Sequence, residues 1–472
     1  MVMGSLSQKT QVVVVGGGPG GYVAAIRAAD LGKEVVLIEQ RERLGGVCLL
    51  EGCIPSKTLI HAVELADAAR HARAMGLSFT DLKIDPVALR QWKERVIDDL
   101  TKGIAGLLKR RGVEVVKGRA RFANHRTLAL EGSDVSSVEF EHCIMATGSR
   151  VKQLPGVSGE GVWTSVEALE LREVPARLLV VGGGYIGMEL GLVYAGLGSK
   201  VTVVELLPSI LITADKDLVE VVVKSCRKKL EAILLNAKVV DLKKTTAGFK
   251  VTIEQEGKTS PHEFDRVLVS VGRRPNTDDL GLEHTKIRVN PQGLIETDRE
   301  CRTAEPSIFA IGDVTPGLAL AHKASREGKV AAEVIAGHKA AFDNVTVPAV
   351  VFTDPEIAWT GLTELEAKEK GIAYTLGKFP LAALGRARAI GRTEGFAKVL
   401  ADPSSGVLLG VAVVGPHASE LIAEPTLALE MGATLEDLMT TIHPHPTLSE
   451  SIMEAAEVAA GSPVHINPPR KR

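Results

Sequence analysis

The strongest constraint on the fold is a segment of 28 residues that occurs twice, as Val12–Glu39 and as Leu178–Glu205. Each copy begins with an apolar run, passes through G-x-G-x-x-G, and continues into a segment rich in glycine, alanine and leucine. Each copy then closes with a second apolar run that ends in a glutamate. Short apolar runs bounded by glycines are typical of buried strands, and the longer segment between them is typical of a helix. The sequence therefore predicts two strand–helix–strand units with parallel strands.

The glycines and the closing glutamate of each unit indicate what the unit binds. The first glycine permits a tight turn, the second lets the backbone approach a pyrophosphate, and the third lets helix and strand pack closely. The helix N-terminus offers free N–H groups to phosphates, and the acid about 20 positions later accepts hydrogen bonds from a ribose diol. The residues concerned are Gly16, Gly18, Gly21 and Glu39 in the first unit, and Gly182, Gly184, Gly187 and Glu205 in the second. We therefore predict two dinucleotide sites.

The composition excludes several other classes of protein. Lys plus Arg number 56 and Asp plus Glu number 58, a formal charge of -2, whereas polyanion binding needs clustered positive charge. No apolar segment reaches the roughly 18 residues that a membrane-spanning helix needs. The five cysteines are an odd number, which fits a reducing compartment. We expect a cytoplasmic protein that binds neither nucleic acid nor membrane.

A pair of cysteines, Cys48 and Cys53, follows the first unit in the segment GGVCLLEGCIPSK. Positions five apart in an ideal helix have Cα atoms roughly 8–9 Å apart, whereas a disulfide needs about 4.4–6.8 Å. A bridge would therefore require a distorted helical start, for which Gly52 and Pro55 supply freedom and constraint. The spacing alone leaves open a redox-active pair, two unpaired thiols, or half of a zinc site. We predict no metal site, because no second cysteine pair or close histidine cluster completes one.

Shorter apolar segments that end at glycine organise the rest of the chain. Residues 142–150 and 265–274 each lie downstream of one unit and can complete its sheet, and residues 307–314 form a third such strand. Beyond residue 350 strands and helices alternate without a nucleotide signature, as expected for a separate α+β domain. We predict four domains, with the ranges 1–152, 153–276, 277–346 and 347–472.

Taken together, these motifs resemble the pyridine nucleotide–disulfide oxidoreductases. The resemblance covers nearly the whole chain, because the two units and the cysteine segment are joined by ATGSR, VGRRPN, IFAIGDV, AHKASREG, FTDPEIAWTGLT and HPHPTLSES in the order of the family. It implies an α/β fold with two Rossmann-like domains, for FAD (1–152) and NAD (153–276), and a central domain (277–346) that completes the FAD site. It also implies a C-terminal α+β domain (347–472) that forms a homodimer.

The resemblance assigns residues to each site. The residues expected to contact FAD are Gly16, Gly18, Gly21, Glu39, Gly46, Lys57, Thr147, Gly148, Gly312, Asp313, Ala321 and His322. The residues expected to contact NAD are Gly182, Gly184, Gly187, Glu205 and Gly272. The catalytic set would be the redox disulfide Cys48–Cys53, the ion pair Lys57–Glu189 beside the flavin, and the acid–base residue His445 oriented by Glu450. Glu205 favours NAD over NADP, because a carboxylate repels a 2′-phosphate and Leu206 and Leu207 follow it where NADPH-dependent members carry arginines.

Within the family, IHPHPTLSES and AHKAS are most like the members that oxidise protein-bound dihydrolipoamide. The implied reaction passes electrons from a dihydrolipoyl group through the disulfide and FAD to NAD+. The implied partners are the lipoyl domains of 2-oxo acid dehydrogenase acyltransferases or the H protein of glycine cleavage.

One position departs from the family pattern, since Leu50 stands where the family usually has asparagine. Leu50 keeps open an NAD-linked reductase of another low-molecular-weight disulfide. A flavoprotein without turnover that serves assembly is the other alternative, and the intact set of Cys48, Cys53, His445 and Glu450 argues against it.

Overall fold

The computed structural model describes residues 6–79, 82–154, 156–157 and 159–467. The outer ends of the first and last predicted domains, residues 1–5 and 468–472, lie outside the described residues. The strands are β1 (Leu6–Val15), β2 (Val35–Glu39), β3 (Glu114–Lys117), β4 (Arg119–Asn124), β5 (Thr127–Glu131), β6 (Val135–Met145), β7 (Ser149–Val151), β8 (Val162–Trp163), β9 (Arg177–Val181), β10 (Lys200–Val204), β11 (Ala232–Leu234), β12 (Ala237–Thr245), β13 (Gly248–Gln255), β14 (Lys258–Phe264), β15 (Arg266–Val269), β16 (Arg273–Pro275), β17 (Ile308–Ala310), β18 (Ala349–Val351), β19 (Glu356–Gly361), β20 (Thr375–Pro380), β21 (Phe396–Ala401) and β22 (Leu408–Gly415).

The helices are α1 (Pro19–Asp30), α2 (Gly46–Glu51), α3 (Cys53–His71), α4 (Pro86–Arg110), α5 (Ser165–Glu170), α6 (Tyr185–Leu197), α7 (Lys216–Cys226), α8 (Ala321–Ile335), α9 (Glu364–Lys370), α10 (Gly385–Ala389), α11 (Ala418–Leu421), α12 (Ala423–Glu430), α13 (Leu435–Thr440) and α14 (Glu450–Ala460). Short 3-10 turns occur at Ala72–Met75, Leu282–His284, Gly312–Val314 and Leu381–Ala383. Among the described residues, none of these helices combines the length and the apolar character that crossing a membrane would require.

The first sheet is built around β1, in the order β3-β2-β1-β6-β5-β4, with β17 also paired to β6. The strands β1, β2, β3, β6 and β17 run parallel, while β4 and β5 are antiparallel additions. Val12 and Val14 of β1 pack into one core and Val13 into another, so the strand is apolar on both faces. Because parallel strands end at one edge, the residues that follow β1, β6 and β17 meet in a crevice there.

The second sheet repeats this plan in the order β11-β10-β9-β15-β8, with every pair parallel. The antiparallel sheet β12-β13-β14 and the short pair β16-β7 accompany it. The C-terminal sheet β18-β19-β22-β21-β20 is antiparallel throughout, and α14 covers it by burying Ile452 and Ala455 against Phe379 and Val399. The predicted fold class, α/β with two Rossmann-like units and a C-terminal α+β domain, is confirmed. The domain boundaries at residues 152, 276 and 346 stay a prediction.

Helices α1 and α8 lie unusually close on one face of the first sheet. A Cβ atom on Gly328 of α8 would stand 2.6 Å from the carbonyl oxygen of Gly20 and 3.3 Å from the Cβ of Ala24. Glycine at position 328 therefore permits the two helix backbones to touch.

Candidate active site

The first glycine loop, between β1 and α1, is closed by its own residues. Gly16 has φ +106°, and a Cβ there would lie 2.3 Å from the carbonyl oxygen of Ala146. A Cβ on Gly21 would lie 1.8 Å from the carbonyl oxygen of Gly16, whereas one on Gly18 would meet only the Cα of Gly46, at 3.7 Å. Two of the glycines are thus required by the turn and by packing, and the third leaves the loop backbone open to an approaching group.

The acid at the end of β2 binds this loop directly. Glu39 is buried, and its Oε2 accepts a hydrogen bond from the N–H of Gly17 at 2.7 Å. Its Oε1 accepts one from the N–H of Arg41 at 2.9 Å. The carboxylate therefore fixes the end of one strand against the loop that follows the other.

The second unit has the same atomic arrangement. Gly182 has φ +108°, and a Cβ on Gly187 would lie 2.1 Å from its carbonyl oxygen. A Cβ on Gly184 would have no atom within 4 Å. Glu205 accepts hydrogen bonds from the N–H of Gly183 at 2.6 Å and from the N–H of Leu207 at 2.8 Å. The sequence repeat is therefore a repeat of hydrogen bonds as well as of strands and helices.

The cysteine pair lies at a break between two helices. Helix α2 ends before Gly52, whose φ of -146° and ψ of -107° are not helical, and α3 begins at Cys53. The structure has Cys48 and Cys53 as free thiols, near enough for the Cys48 thiol to hydrogen-bond a thiolate on Cys53. The break at Gly52 thus brings together two sulfurs that a continuous helix would hold apart.

The two thiols differ in acidity. The hydrogen bond from Cys48, together with the nearby ammonium of Lys57, outweighs burial and lowers the pKa of Cys53 to about 7. The same hydrogen bond, burial and the charge of Cys53 raise the pKa of Cys48. When the pair loses a proton, the thiolate therefore forms on Cys53. A thiolate is the reactive form of a cysteine, and the more acidic thiol is the better leaving group.

Lys57 lies one helical turn after Cys53 on α3 and pairs with Glu189 on α6. The Lys57 Nζ is 2.7 Å from the Glu189 Oε2, and the Glu189 side chain is only 5% exposed. The other carboxylate oxygen of Glu189 accepts a hydrogen bond from the N–H of Phe352 at 3.0 Å. The ion pair therefore joins the redox helix to the second unit and to the C-terminal region.

A cavity of about 810 Å³ connects the first glycine loop with the cysteine pair. The sequence-predicted residues that line it are Gly16, Gly18, Glu39, Gly46, Cys48, Cys53, Lys57, Thr147, Gly148, Glu189, Gly312, Asp313 and Ala321. The remaining predicted residues do not line it: Gly21, Gly182, Gly184, Gly187, Glu205, Gly272, His322, His445 and Glu450. Gly21 lies beneath the first loop, and the Nε2 of His322 lies 2.8 Å from the carbonyl oxygen of Pro348.

Sequence reasoning missed other residues of this cavity, among them Arg273, Ser149 and Tyr185. Arg273 donates from Nε to the Ser149 Oγ at 2.8 Å, and that hydroxyl donates to the Asp313 Oδ2 at 2.5 Å. Tyr185, the first residue of α6, also lines the cavity. Arg273 and Tyr185 belong to the motifs VGRRPN and GGGYIGMELG, but the sequence of these motifs does not indicate that the two side chains face the cavity.

His445 and Glu450 form a separate pair in the C-terminal region. The His445 Nδ1 is 2.8 Å from the Glu450 Oε1, and the histidine side chain is 77% exposed. Partial burial alone would raise the pKa of Glu450, but the N–H of Thr447 and the neighbouring His445 and His443 outweigh it and lower that pKa. The carboxylate holds one ring nitrogen, so the Nε2 of His445 is directed away from it. One chain does not bring this pair to the cavity.

Comparison with known proteins identifies the family. The protein-family model described as pyridine nucleotide-disulphide oxidoreductase matches residues 10–328 of the sequence, and the model of that family's dimerisation domain matches residues 347–456. The chain belongs to the pyridine nucleotide-disulphide oxidoreductases. The dimerisation domain supports the predicted homodimer, and FAD and NAD(H), which this family uses, are confirmed as the predicted cofactors.

Within the family, curated relatives of the chain are named dihydrolipoyl dehydrogenase. The relative from Geobacillus stearothermophilus is 49% identical, over 99% of this chain and 99% of its own length. The relative from Bacillus subtilis is 45% identical, over 99% of this chain and 100% of its own length. Among solved structures, LpdA from Mycobacterium tuberculosis has a TM-score of 0.88 at 32% identity, covering 95% of this chain and 99% of its own. The HOCl-induced flavoprotein disulfide reductase RclA from Escherichia coli has a TM-score of 0.83 at 30% identity, covering 93% of this chain and 98% of its own.

Proposed function

We propose that the protein is a dihydrolipoyl dehydrogenase, which oxidises dihydrolipoyl groups and passes the electrons through Cys48, Cys53 and FAD to NAD+. The observation that carries this proposal is the thiol pair of unequal acidity on the wall of the cavity that begins at the first glycine loop. The relatives named dihydrolipoyl dehydrogenase match almost the whole chain, so the alternative raised by Leu50, reduction of another disulfide, is not favoured.

The cavity fits FAD in its chemistry and its extent. The glycine loop at Gly16 and Gly18 exposes backbone N–H groups at the start of α1, where a pyrophosphate is stabilised. Glu39 marks the ribose end, and Asp313 and Lys57 lie toward the cysteines. The residues that we propose to hold FAD are Gly16, Gly18, Gly21, Glu39, Gly46, Lys57, Thr147, Gly148, Gly312, Asp313, Ala321 and, beside the cavity, His322. When bound there, FAD supplies a two-electron acceptor that NAD+ reoxidises.

The chain's own residues account for the sulfur and proton chemistry. A substrate thiolate attacks the Cys48 sulfur of the Cys48–Cys53 disulfide, because the bond then breaks toward Cys53, the more acidic thiol and the better leaving group. Lys57 stabilises the Cys53 thiolate that is released. The second substrate thiol, deprotonated in turn, displaces Cys48, so that the substrate leaves as a disulfide and both cysteines are reduced. The Nε2 of His445 accepts the substrate thiol proton while Glu450 holds the other ring nitrogen.

We propose that His445 of the partner subunit serves the cysteine pair of each chain. His445 is largely exposed and lies outside the cavity of its own chain, and residues 347–456 match a dimerisation domain. A symmetric dimer would give both cavities the same relation to the opposite histidine. The lipoyl domains of 2-oxo acid dehydrogenase acyltransferases, or the H protein of glycine cleavage, are the proposed partners. A cytoplasmic location is proposed from the odd number of cysteines.

The purified holoenzyme should reduce NAD+ with dihydrolipoamide and show little reduction of glutathione disulfide with NADPH. Steady-state rates for the two substrate pairs decide between these activities.

Reduction by two electrons should also give a long-wavelength absorbance band from the Cys53 thiolate beside oxidised flavin. Cys53→Ser should lose both turnover and band, whereas Cys226→Ser, a change at a buried thiol away from the cavity, should retain both. Turnover by Cys53→Ser at the wild-type rate would reject the mechanism.

Coenzyme selectivity should depend on Glu205. We propose that Gly182, Gly184, Gly187, Glu205 and Gly272 bind NAD. Replacing Glu205 with Arg removes the acceptor for the ribose diol and the repulsion of a 2′-phosphate, so the ratio of kcat/KM for NAD+ over NADP+ should fall by about tenfold or more. Glu205→Gln keeps a hydrogen-bond acceptor and is expected to change the ratio less. The same ratio in Glu205→Arg as in the wild type would remove Glu205 from this role.

A further inference from the structure

Phe352 contacts both members of the ion pair beside the redox cysteines. Its backbone N–H donates to the Glu189 Oε1 at 3.0 Å, and its ring lies beneath the Lys57 ammonium, with the Nζ 4.3 Å from the ring centroid. The Lys57 Nζ is at the same time 2.7 Å from the Glu189 Oε2. One residue of the C-terminal region therefore holds a carboxylate and an ammonium that come from two other parts of the chain.

The segment that carries Phe352 is itself fixed in place. The Thr353 hydroxyl is buried and donates to the carbonyl oxygen of Pro355 at 2.8 Å. Asp354 pairs with Lys229, at 2.6 Å, and with Arg392. Lys229 also binds Asp67, two turns and more along α3 from Lys57, at 2.9 Å. Helix α3 is thus held to this segment at two places, one of which is beside the cysteines.

We propose that Phe352 is a positioning residue of the redox centre, whose ring and backbone N–H fix Lys57 and Glu189 so that the Lys57 ammonium stabilises the Cys53 thiolate. The proposal deepens the proposed function and rests on it, since it gives the C-terminal region a part in tuning the thiol pair. An ammonium over an aromatic face is attracted to the ring, most strongly where water is partly excluded. The ring therefore limits the positions that the flexible lysine chain can take.

The direction of the effect follows from the titratable groups that face Cys53. These are Cys48 from α2, Lys57 from its own helix, and Glu189 and Tyr185 from α6. Lys57 is the cation among them, and it favours the thiolate, whereas Glu189 opposes it. Loss of the ring removes one of the two contacts that hold the Lys57 ammonium, so the lysine chain can move away from Cys53, while Glu189 stays bound to the N–H of residue 352. The Cys53 thiolate should then form only at higher pH.

The test uses the holoenzyme with Cys48→Ser, which leaves Cys53 as the accessible thiol of the cavity and keeps a hydroxyl donor beside it. Cys143, Cys226 and Cys301 are buried, so iodoacetamide should modify Cys53, which peptide mass spectrometry verifies. The rate of alkylation against pH gives the midpoint of thiolate formation without reference to turnover. Adding Phe352→Leu, which keeps the N–H and loses the ring, should move that midpoint up by about half a unit to one unit. Phe352→Tyr, which keeps the ring, should restore it.

Phe396→Leu is the matched control, because the Lys378 ammonium lies 3.5 Å from the centroid of that ring, in the C-terminal sheet. It should leave the midpoint unchanged, even where thermal unfolding shows a loss of stability similar to that of Phe352→Leu. An unchanged midpoint in Phe352→Leu, or an equal shift in Phe396→Leu, would overturn the proposal. The wild-type assay with dihydrolipoamide and NAD+ separates this from the proposed function: an inactive wild type with a shifted midpoint in Phe352→Leu would refute the function and retain the positioning role.

Discussion

Mixing two nearly inactive homodimers, Cys53→Ser and His445→Ala, should restore activity to about a quarter of the wild-type level. The cysteine pair and His445 lie apart within one chain, and the dimerisation domain provides the second chain. In a hybrid dimer with shared sites, one site carries both defects and the other carries neither. Random exchange makes about half of the dimers hybrid, each with one of two sites restored. Activity after mixing, with hybrids counted by native mass spectrometry, is the measurement.

A matched mixture controls for nonspecific recovery. Cys48→Ser and Cys53→Ser alter the same half of the site, so their hybrids carry a defect in both sites and should stay inactive. If hybrids of Cys53→Ser and His445→Ala form and remain inactive, the histidine serves its own chain and the shared-site proposal is wrong.

Lys398→Met should destabilise the protein by about 3–5 kcal/mol, because it leaves the buried Asp215 and the partly buried Asp217 and Glu364 without the cation that lies among them. The Lys398 side chain is 0% exposed, and its Nζ lies 2.7 Å from Asp215, 2.9 Å from Asp217 and 2.7 Å from Glu364. These three carboxylates are spaced closely enough to hold a metal ion, but the ammonium lies among them. The cluster joins the start of α7, in the second unit, to α9 and β21. The urea midpoint and the temperature of unfolding measure the loss.

Lys378→Met is the comparison for that change. Lys378 also pairs with Asp217, at 2.9 Å, but its side chain is 41% exposed, so its removal should cost about 1 kcal/mol or less.

The cluster around Lys398 also makes the stability of the protein depend on pH. Burial of Asp217 opposes ionisation, but Lys398 and Lys378 outweigh it and lower the pKa of Asp217. A depressed folded-state pKa contributes stability above the unfolded value that is lost as the pH falls through the folded value. This loss of stability at acid pH should be smaller in Lys398→Met than in the wild type. Equal urea midpoints for Lys398→Met and Lys378→Met would contradict the argument.

The sequence was most informative where structure depends on near neighbours. The two glycine loops and their acids lie within single 28-residue segments, and the break at Gly52 follows from the separation that two cysteines on one helix would have. The pairing of Lys57 with Glu189 came only from the resemblance, because 132 residues separate them.

Contacts that depend on how separate elements pack gave no signal in the letters. Phe352 is one phenylalanine in an apolar run, and its contact with Lys57 exists because the C-terminal region lies against α3 and α6. Arg273 and Ser149 meet because β16 pairs with β7. Lys398 sits in a strand whose other residues are apolar, and only the carboxylates of α7 and α9 make its burial possible. Long-range pairing of this kind is set by tertiary structure rather than by local pattern.

The contact between α1 and α8 has a consequence for how the cavity keeps its width. Gly18 and Gly20 at the start of α1 line the cavity, as does Ala321 at the start of α8, whereas Gly328 of α8 does not line it but touches Gly20. A methyl group at position 328 would act as a wedge between the helices and displace one wall relative to the other. Gly328, in the segment AHKASREG, therefore sets the distance between α1 and α8 and with it the width of the cavity, although Gly328 does not itself line the cavity.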